Sequence, residues 1–384
     1  MTNKLFKKTV IIATHTLTSG APHELRDFIR NKVNALLFIG LPFSYCKDIR
    51  SLVEFYANGK KKYEKRIFNY KLPELLMYFK DFLLTLFLPL RFKRKFDIFI
   101  GADSLLVSVG ILLRYFGVVE KVIFYTIDIS SKRFENIFLN HLYHLMDKFA
   151  SENADIIWNL DSSMMHERIK KGYFRKRMPN QLVVPIGVHM ENDINRKSVN
   201  SKKLVYMGGL SEPFGVNLIM RSLPILKKKI KDFKLIVIGG SLSSGDMEDQ
   251  FRKFVKENNL EENVVFTGYI YNQNEIKNIL KECAVGLAPY KPNTYKIFCD
   301  PTKAKEYMSK GLPVIITNVP SFSKEIKENK AGIVIDYNED QLADAVIALL
   351  TNKELSEKYK KNALELISRY RWDDIFEKTL RGSM

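Results

Sequence analysis

The sequence predicts an α/β protein built from two Rossmann-like, doubly wound parallel sheets. Short apolar runs alternate with longer stretches of helical spacing along most of the chain, the pattern of parallel strands covered by helices on both faces. The polar stretch at residues 187–202 interrupts that rhythm, which then restarts. With 384 residues, the chain is longer than one core usually organises.

Domain boundaries follow from these observations. A first domain is expected at 1–186, a linker at 187–202, a second domain at 203–365 and a terminal helical segment at 366–384. In the first domain Val10–Ala13, Asp97–Gly101, Lys121–Thr126, Asp155–Trp158 and Leu182–Pro185 read as strands. Helices are predicted at about 23–30 and 137–150, the latter with Phe138, Leu142, Leu145, Met146 and Phe149 at helical spacing. In the second domain Lys203–Met207 and Phe233–Ile238 are strands that end in the pairs Gly208-Gly209 and Gly239-Gly240. Phe214–Lys229 is a helix, and Val264–Phe266, Ala284–Ala288, Pro313–Thr317 and Gly332–Ile335 continue the strands. Ser356–Leu380 is helical with a break near Arg369–Arg371. Open α/β sheets bind ligands outside the carboxyl ends of their strands, so the chemistry is expected in a cleft between the domains.

Composition narrows the function classes. Apolar residues at 46% and charged residues at 27% exclude a wholly disordered chain. Lys plus Arg number 61 against 43 for Asp plus Glu, a net +18 that points to an anionic partner. The excess is concentrated in residues 1–200, which hold 32 basic and 19 acidic side chains. Cys46, Cys283 and Cys299 are too scattered for a disulfide framework or zinc cluster and fit a reducing compartment. No signal peptide is visible, and Lys80 and Asp81 interrupt the apolar stretch Leu75–Leu90 short of the roughly 18 residues a spanning helix needs. A cytoplasmic protein is expected, in peripheral contact with the inner face of the membrane.

The most informative stretch is FCDPTKAKEYMSKGLPVII at 298–316. Asp300 suits an N-cap, and Pro301 suits the first helical position, where its missing N–H costs nothing. Thr302 and Lys303 then present backbone N–H groups at the positive end of a helix, which binds phosphate, and Lys303 adds a full charge. Glu306, one turn on, can accept two hydrogen bonds from a ribose diol. An ordinary capped surface helix carries the same local features.

Asp-Pro-x-Lys-x-x-Glu-Tyr-Met-x-x-Gly-x-Pro-Val resembles the nucleotide-sugar signature of the family-4 (group 1) retaining glycosyltransferases, which have the GT-B fold. Tyr206–Leu210 resembles that family's glycine loop opening the second domain, Val265–Tyr269 the strand and turn beside the base, and Gly286–Tyr290 the strand before the signature. Val184–Val188 resembles the end of the first domain, and Arg371–Asp373 the start of a last helix that crosses back to it. The resemblance implies two domains facing across a cleft and a sugar moved, with retention, from a nucleoside diphosphate sugar to a glycan or lipid-linked acceptor. It implies donor contacts at Gly20, Gly208, Gly209, Tyr269, Tyr290, Asp300, Thr302, Lys303 and Glu306, and catalytic roles for Asp128 and Glu306. Asp128 stands where the family has a histidine near the donor sugar; as a plain alternative it caps the next helix. Lys132 and Arg133 are candidate anion contacts or a solvated pair.

No Asp-x-Asp motif occurs in the sequence, and no metal site or cofactor is expected, since helix dipoles and fixed cations can stabilise the leaving diphosphate. Two departures from the family pattern stand out. Phe298 occupies the place of the first of two acids spaced eight apart, and residues 209–214 lack the usual Arg and Lys. Among the histidines, His141 and His144 lack further metal ligands nearby, while His15 and His23 flank the first glycine loop.

Leu72–Lys95 reads either as a helix lying in an anionic leaflet or as an interior helix with a solvated cationic edge. Lys60–Lys62, Lys65-Arg66 and Arg175–Arg177 add to its basic flank. Nucleic acid is not expected, since no aromatic–basic, zinc or helix-turn-helix pattern is present. An epimerase-like enzyme on the same scaffold, a non-catalytic protein and a binder of anionic polymers remain alternatives.

Overall fold

The computed structural model describes residues 7–15, 19–43, 46, 48–130, 132–134, 136–174, 177–190, 201–241, 246–294 and 298–383. The chain divides into two compact units, Met1–Pro185 with Ile375–Met384, and Ile186–Asp374. Residues 191–200 of the expected linker and Arg175-Lys176 of the basic flank lie outside the described residues.

The first unit runs β1 (Thr9–Thr14), α1 (Ala21–Ile29), β2 (Ala35–Gly40), β3 (Ser51–Ala57), β4 (Lys60–Ile67), α2 (Glu74–Phe87), β5 (Phe96–Gly101), α3 (Ser104–Tyr115), β6 (Val119–Thr126), α4 (Ile137–Asn153), β7 (Ile156–Asn159), α5 (Ser162–Lys170) and β8 (Asn180–Val183). Its strands form one sheet in the order β4-β3-β2-β1-β5-β6-β7-β8. The expected parallel sheet is present, with an antiparallel hairpin added at one edge. From β2 through β1 to β8 the strands are parallel, but β3 pairs antiparallel with both β2 and β4. Asn58-Gly59 makes the β3–β4 hairpin possible, with φ of 50° and 76° that match a two-residue turn of the type favoured between twisted strands. Every side chain of Lys60–Arg66 on β4 is exposed, so its row of cations borders the sheet edge. Lys61 lies 2.8 Å from Glu54 and 2.7 Å from Glu64, and Arg66 pairs with Asp48.

Two helices of this unit are turned against their composition. On α2 the buried residues are Met77, Lys80, Asp81 and Thr85, while Leu75, Leu76, Phe79 and Phe87 are exposed. On α4 Asp147, Ala150 and Ser151 face inward. The stripe of Phe138, Leu142, Leu145 and Phe149, which helical spacing singles out, is exposed. The inward polar groups have partners strong enough to outweigh the apolar ones. Arg168 of α5, fully buried, grips Asp147 through Nη2 at 2.8 Å and Nε at 3.2 Å, and its Nη1 donates to Thr126 and Asn159. An isolated buried guanidinium would be prohibitive, so the carboxylate must come in and the opposite face of α4 turns outward. On α2, Phe82, Leu84 and Leu86 pack against the core while Leu75, Leu76, Phe79 and Phe87 are exposed, so the interior-helix reading of Leu72–Lys95 holds for one face only.

The second unit contains β9 (Lys203–Met207), α6 (Val216–Lys229), β10 (Lys234–Ile238), α7 (Asp246–Glu257), β11 (Val264–Gly268), α8 (Gln273–Glu282), β12 (Val285–Ala288), α9 (Thr302–Ser309), β13 (Val314–Thr317), α10 (Phe322–Glu328), β14 (Gly332–Ile335), α11 (Glu339–Thr351) and α12 (Lys353–Ile367). Its sheet is parallel in the order β11-β10-β9-β12-β13-β14. Alternate residues of β9 feed two cores: Leu204 and Tyr206 join Phe233, Leu235 and Phe251 on one face, and Val205 joins Ile238, Tyr307 and Ile316 on the other. Burial of this kind contributes about 1.5–3 kcal/mol per large side chain and fixes the strands whose ends carry the site. The last helix, α13 (Trp372–Ser383), starts in this unit, and its residues from Ile375 on belong to the first, where Trp158 Nε1 donates to Ser383 Oγ at 2.9 Å.

Candidate functional site

In the second sheet the strand order switches at β9, with β10 on one side and β12 on the other, and such a switch leaves a crevice at the carboxyl ends. The glycine pairs close those ends. Gly208 N donates to Ile238 O at 2.9 Å, Leu210 N to Gly240 O at 3.1 Å, and Gly239 N to Gly268 O at 2.8 Å, so three successive turns stack along the edge. Gly208 has φ 137° and Gly239 φ 124°, and a Cβ on Gly239 would collide with the Gly208 carbonyl. Only glycine lets these turns approach each other.

Lys303 reaches into this edge from α9. Its Nζ sits 4.1 Å from the Tyr206 ring centre, 4.7 Å from that of Phe214 and 5.4 Å from that of Tyr290. A Cβ on Gly208 would stand 3.2 Å from the same nitrogen. The ammonium is thus lodged among three aromatic rings and against the Gly208 turn, a setting that favours a cation. Tyr206 OH donates to Gly209 O at 2.8 Å, and Tyr307 OH accepts from Met207 N at 2.7 Å, so the cage walls also brace the turn. Tyr290 is buried, and burial pushes its phenol well above the usual range. Gly208, Gly209, Tyr290 and Lys303 are brought together, and Glu306 follows one turn along α9, half-buried. Tyr269 stands to the side, half-exposed, its hydroxyl donating to Gly240 O at 2.9 Å.

Two details of the signature helix differ from expectation. Asp300 does not cap α9: the N-cap position is Pro301, without a side-chain bond. The Asp300 carboxylate instead accepts from Lys305 Nζ at 2.7 Å and from Ile186 N at 2.5 Å, and Lys305 Nζ also donates to Ile186 O at 2.9 Å. A fully buried ammonium needs an anion more than a helix end open to water needs a cap. Thr302 is exposed, but its N–H, expected to point outward, donates to Asp300 O at 2.8 Å.

In the first sheet the switch lies at β1, between β2 and β5. Gly20, φ 135°, starts α1, and its carbonyl accepts from His23 N at 2.9 Å. Asp128 is more than half exposed, 3.7 Å from Arg133 Nη1. The helix after it is capped by Asn136, which accepts from Phe138 N and Leu139 N, so Asp128 is not its cap. Lys132 is exposed, its N–H turned to Ser130 Oγ, while Arg133 N–H donates to Asn140 Oδ1 at 2.7 Å.

Beside these residues is a cluster that the sequence did not disclose. His15, just past β1, contacts Asp103 Oδ2 through Nδ1 at 2.5 Å and Asp81 Oδ2 through Nε2 at 3.2 Å, and Lys80 Nζ lies 2.8 Å from Asp81 Oδ1. Burial acts to lower the His15 pKa, but the charges and hydrogen bonds of Asp103 and Asp81 outweigh it and raise it to about 9. The imidazole is therefore a cation at neutral pH, clamped at both nitrogens. Asp103 also caps α3 by accepting from Leu106 N at 3.1 Å. The cluster borders a cavity of about 420 Å³ walled by the end of β1, by α2, by the start of α3 and by α4, and lined by Ile127, Asp128, Arg133 and Phe134 as well. Among the described residues no three His, Cys, Asp or Glu side chains are grouped to hold a metal ion, and no helix is long and apolar enough to cross a membrane.

Residues 190–366 match the family described as glycosyl transferases group 1. A phosphatidyl-myo-inositol mannosyltransferase of Mycobacterium leprae is 24% identical over 215 residues, covering 50% of this chain and 52% of that protein. The chain spans about half, or less, of the length of the curated relatives it matches. In fold it is similar to sucrose-phosphate synthase from Thermosynechococcus elongatus, with TM-score 0.73 and 14% identity over 98% of this chain and 100% of that one. A Staphylococcus aureus TarM variant, in complex with fondaparinux, α-GlcNAc-glycerol and UDP, gives TM-score 0.61 at 16% identity over 88% and 74% of the two chains. At such identity the likeness is one of fold: the GT-B class, with two Rossmann-like units.

Proposed function

We propose that this chain, whose residues 190–366 match the glycosyl transferases group 1 family, is a retaining, metal-independent glycosyltransferase using a nucleoside diphosphate sugar. The observation that carries the reading is the caged ammonium of Lys303 against the Gly208 turn, at the switch point of a sheet lying within the matched residues. A diphosphate seated on the Gly208–Gly209 turn meets a fixed cation, Lys303, as its charge grows. Glu306 takes the ribose diol, Tyr269 lies beside the base, and Thr302 closes the phosphate end. Asp300 serves the site indirectly, by holding Lys305 and the Ile186 backbone.

In the transfer, the anomeric C–O bond to the diphosphate breaks and a bond to the acceptor oxygen forms on the same face. The departing phosphate oxygen takes the acceptor's proton, so no separate protein base is required. Asp128 stabilises positive charge on the sugar, and Gly20, Lys132 and Arg133 belong to the anion and acceptor side. A relative named for phosphatidyl-myo-inositol and one named for poly(ribitol-phosphate) support a glycan or lipid-linked acceptor; the net positive charge is the support for an anionic membrane face.

A thermal-shift screen of nucleoside diphosphate sugars, followed by NMR of the product's anomeric centre with and without chelator, tests the reading. Stabilisation by one donor, retained configuration and indifference to chelator are expected. Stabilisation without turnover would favour the non-catalytic alternative, which the absence of Arg and Lys from residues 209–214 keeps open.

A further inference from the structure

We infer that the 420 Å³ cavity of the first unit seats the apolar chain of an amphiphilic acceptor, a membrane lipid whose anionic phosphate head lies at Arg133. The inference rests on the transferase reading and gives its acceptor a chemical class and a place. Three observations carry it.

The walls are mostly hydrocarbon, with Phe43, Leu75, Phe134, Leu139, Leu142 and Met146 among the lining residues. A cavity for a free glycan would be expected to line itself with hydrogen-bonding groups instead.

The cavity also opens onto apolar surface. Leu75 and Leu142 line it yet are 53% and 44% exposed. They are continuous along α2 and α4 with exposed Leu76, Phe79, Phe138 and Leu145. Apolar surface on two helices that line one cavity, each turning charges inward, has a use where the medium is itself hydrocarbon.

Charge is placed to complement an anionic head. Arg133 lines the cavity on a segment pinned through Asn140, with its guanidinium 5.9 Å from the Phe43 ring, and Lys132 precedes it. The other charged groups at the cavity are accounted for. His15 and Asp103 bind each other, and Asp128 lies near Arg133 as the residue a phosphate would have to displace.

The test uses the full chain without donor. Dodecyl phosphate, kept below its micelle concentration, is titrated calorimetrically beside inorganic phosphate and dodecyl maltoside. Dodecyl phosphate should bind at least ~10-fold more tightly than either, since chain and head each contribute, with a negative heat-capacity change. Leu142→Glu, a charge on a half-exposed wall, and Met146→Trp, which fills the space, should each weaken it ~10-fold or more. Arg133→Gln should reduce dodecyl phosphate to the level of the maltoside. Co-sedimentation of the parent with phosphatidylcholine vesicles containing phosphatidic acid should exceed that with phosphatidylcholine alone. Equal binding of inorganic and dodecyl phosphate overturns the inference, as does parental affinity in both wall variants or equal sedimentation with the two vesicles. Because these titrations contain no nucleotide sugar, the donor screen decides the transferase reading separately.

Discussion

Asp103 holds His15 through a 2.5 Å contact from Oδ2 to Nδ1, while Asp81 meets the other ring nitrogen at 3.2 Å. The imidazole pKa, about 9 in the fold, lies above its ordinary 6.5. The fold therefore binds the proton more tightly than the unfolded chain does. This contribution is fully present below about pH 6.5 and is lost as pH rises through about 9. Its upper bound is about 3 kcal/mol. Urea unfolding between pH 6 and 9.5 should show a falling stability, and His15→Gln should be less stable at pH 6 and nearly flat above it. A parental slope in the variant would assign the pH dependence to another group.

The pair Asp147–Arg168 should behave asymmetrically. Asp147→Ala strands a guanidinium that is 0% exposed and is expected to cost about 3–5 kcal/mol. The double replacement Asp147→Leu with Arg168→Met should recover most of that loss, because both charges go together. Chemical denaturation of the parent, the single and the double variant measures the difference directly.

For the donor site, Lys303→Met keeps the stem within its aromatic cage but removes the charge. Nucleoside diphosphate sugar affinity should fall ~10-fold or more, with unfolding within about 1.5 kcal/mol of the parent. Gly208→Ala should impair both, since φ 137° is strained for alanine and the new methyl would stand 3.2 Å from Lys303 Nζ. Donor titration of the Met variant separates charge from packing; an unchanged Kd would remove Lys303 from the site.

Asp300→Asn tests whether that carboxylate acts on the donor or on Lys305. With Lys305 Nζ at 2.7 Å and both side chains almost wholly buried, the expected first effect is a stability loss of about 3–5 kcal/mol. A stable Asp300→Asn variant with weakened donor binding would place the carboxylate on the ligand instead.

The second unit was the more legible in sequence. β9 occupies the expected Lys203–Met207, because a continuous apolar run ending in glycines has few other structures open to it. Lys303 and Glu306 could be picked out because one compact signature carries both, and Gly208 and Tyr290 because each closely follows a short apolar strand. In the first unit β2, β3 and β4 fall outside the expected strands, although Asn58-Gly59 is a hairpin signal between two of them. The inward faces of α2 and α4 could not be read from periodicity, since partners on other elements decide them. The His15 cluster was hidden for the same reason. Asp81 and Asp103 lie 66 and 88 residues from His15, and only the pairing of β1 with β5 and the packing of α2 bring them to one place.

The exposed cations of β4 have a colloidal consequence. An unpaired strand at the rim of a sheet is a template on which another chain can add, and here two such rims would confront each other with like charges. Part of the chain's positive excess thus serves to keep copies apart rather than to attract a ligand. Concentrated salt shortens the reach of that repulsion, so storage at high ionic strength should make the protein more prone to edge-on aggregation.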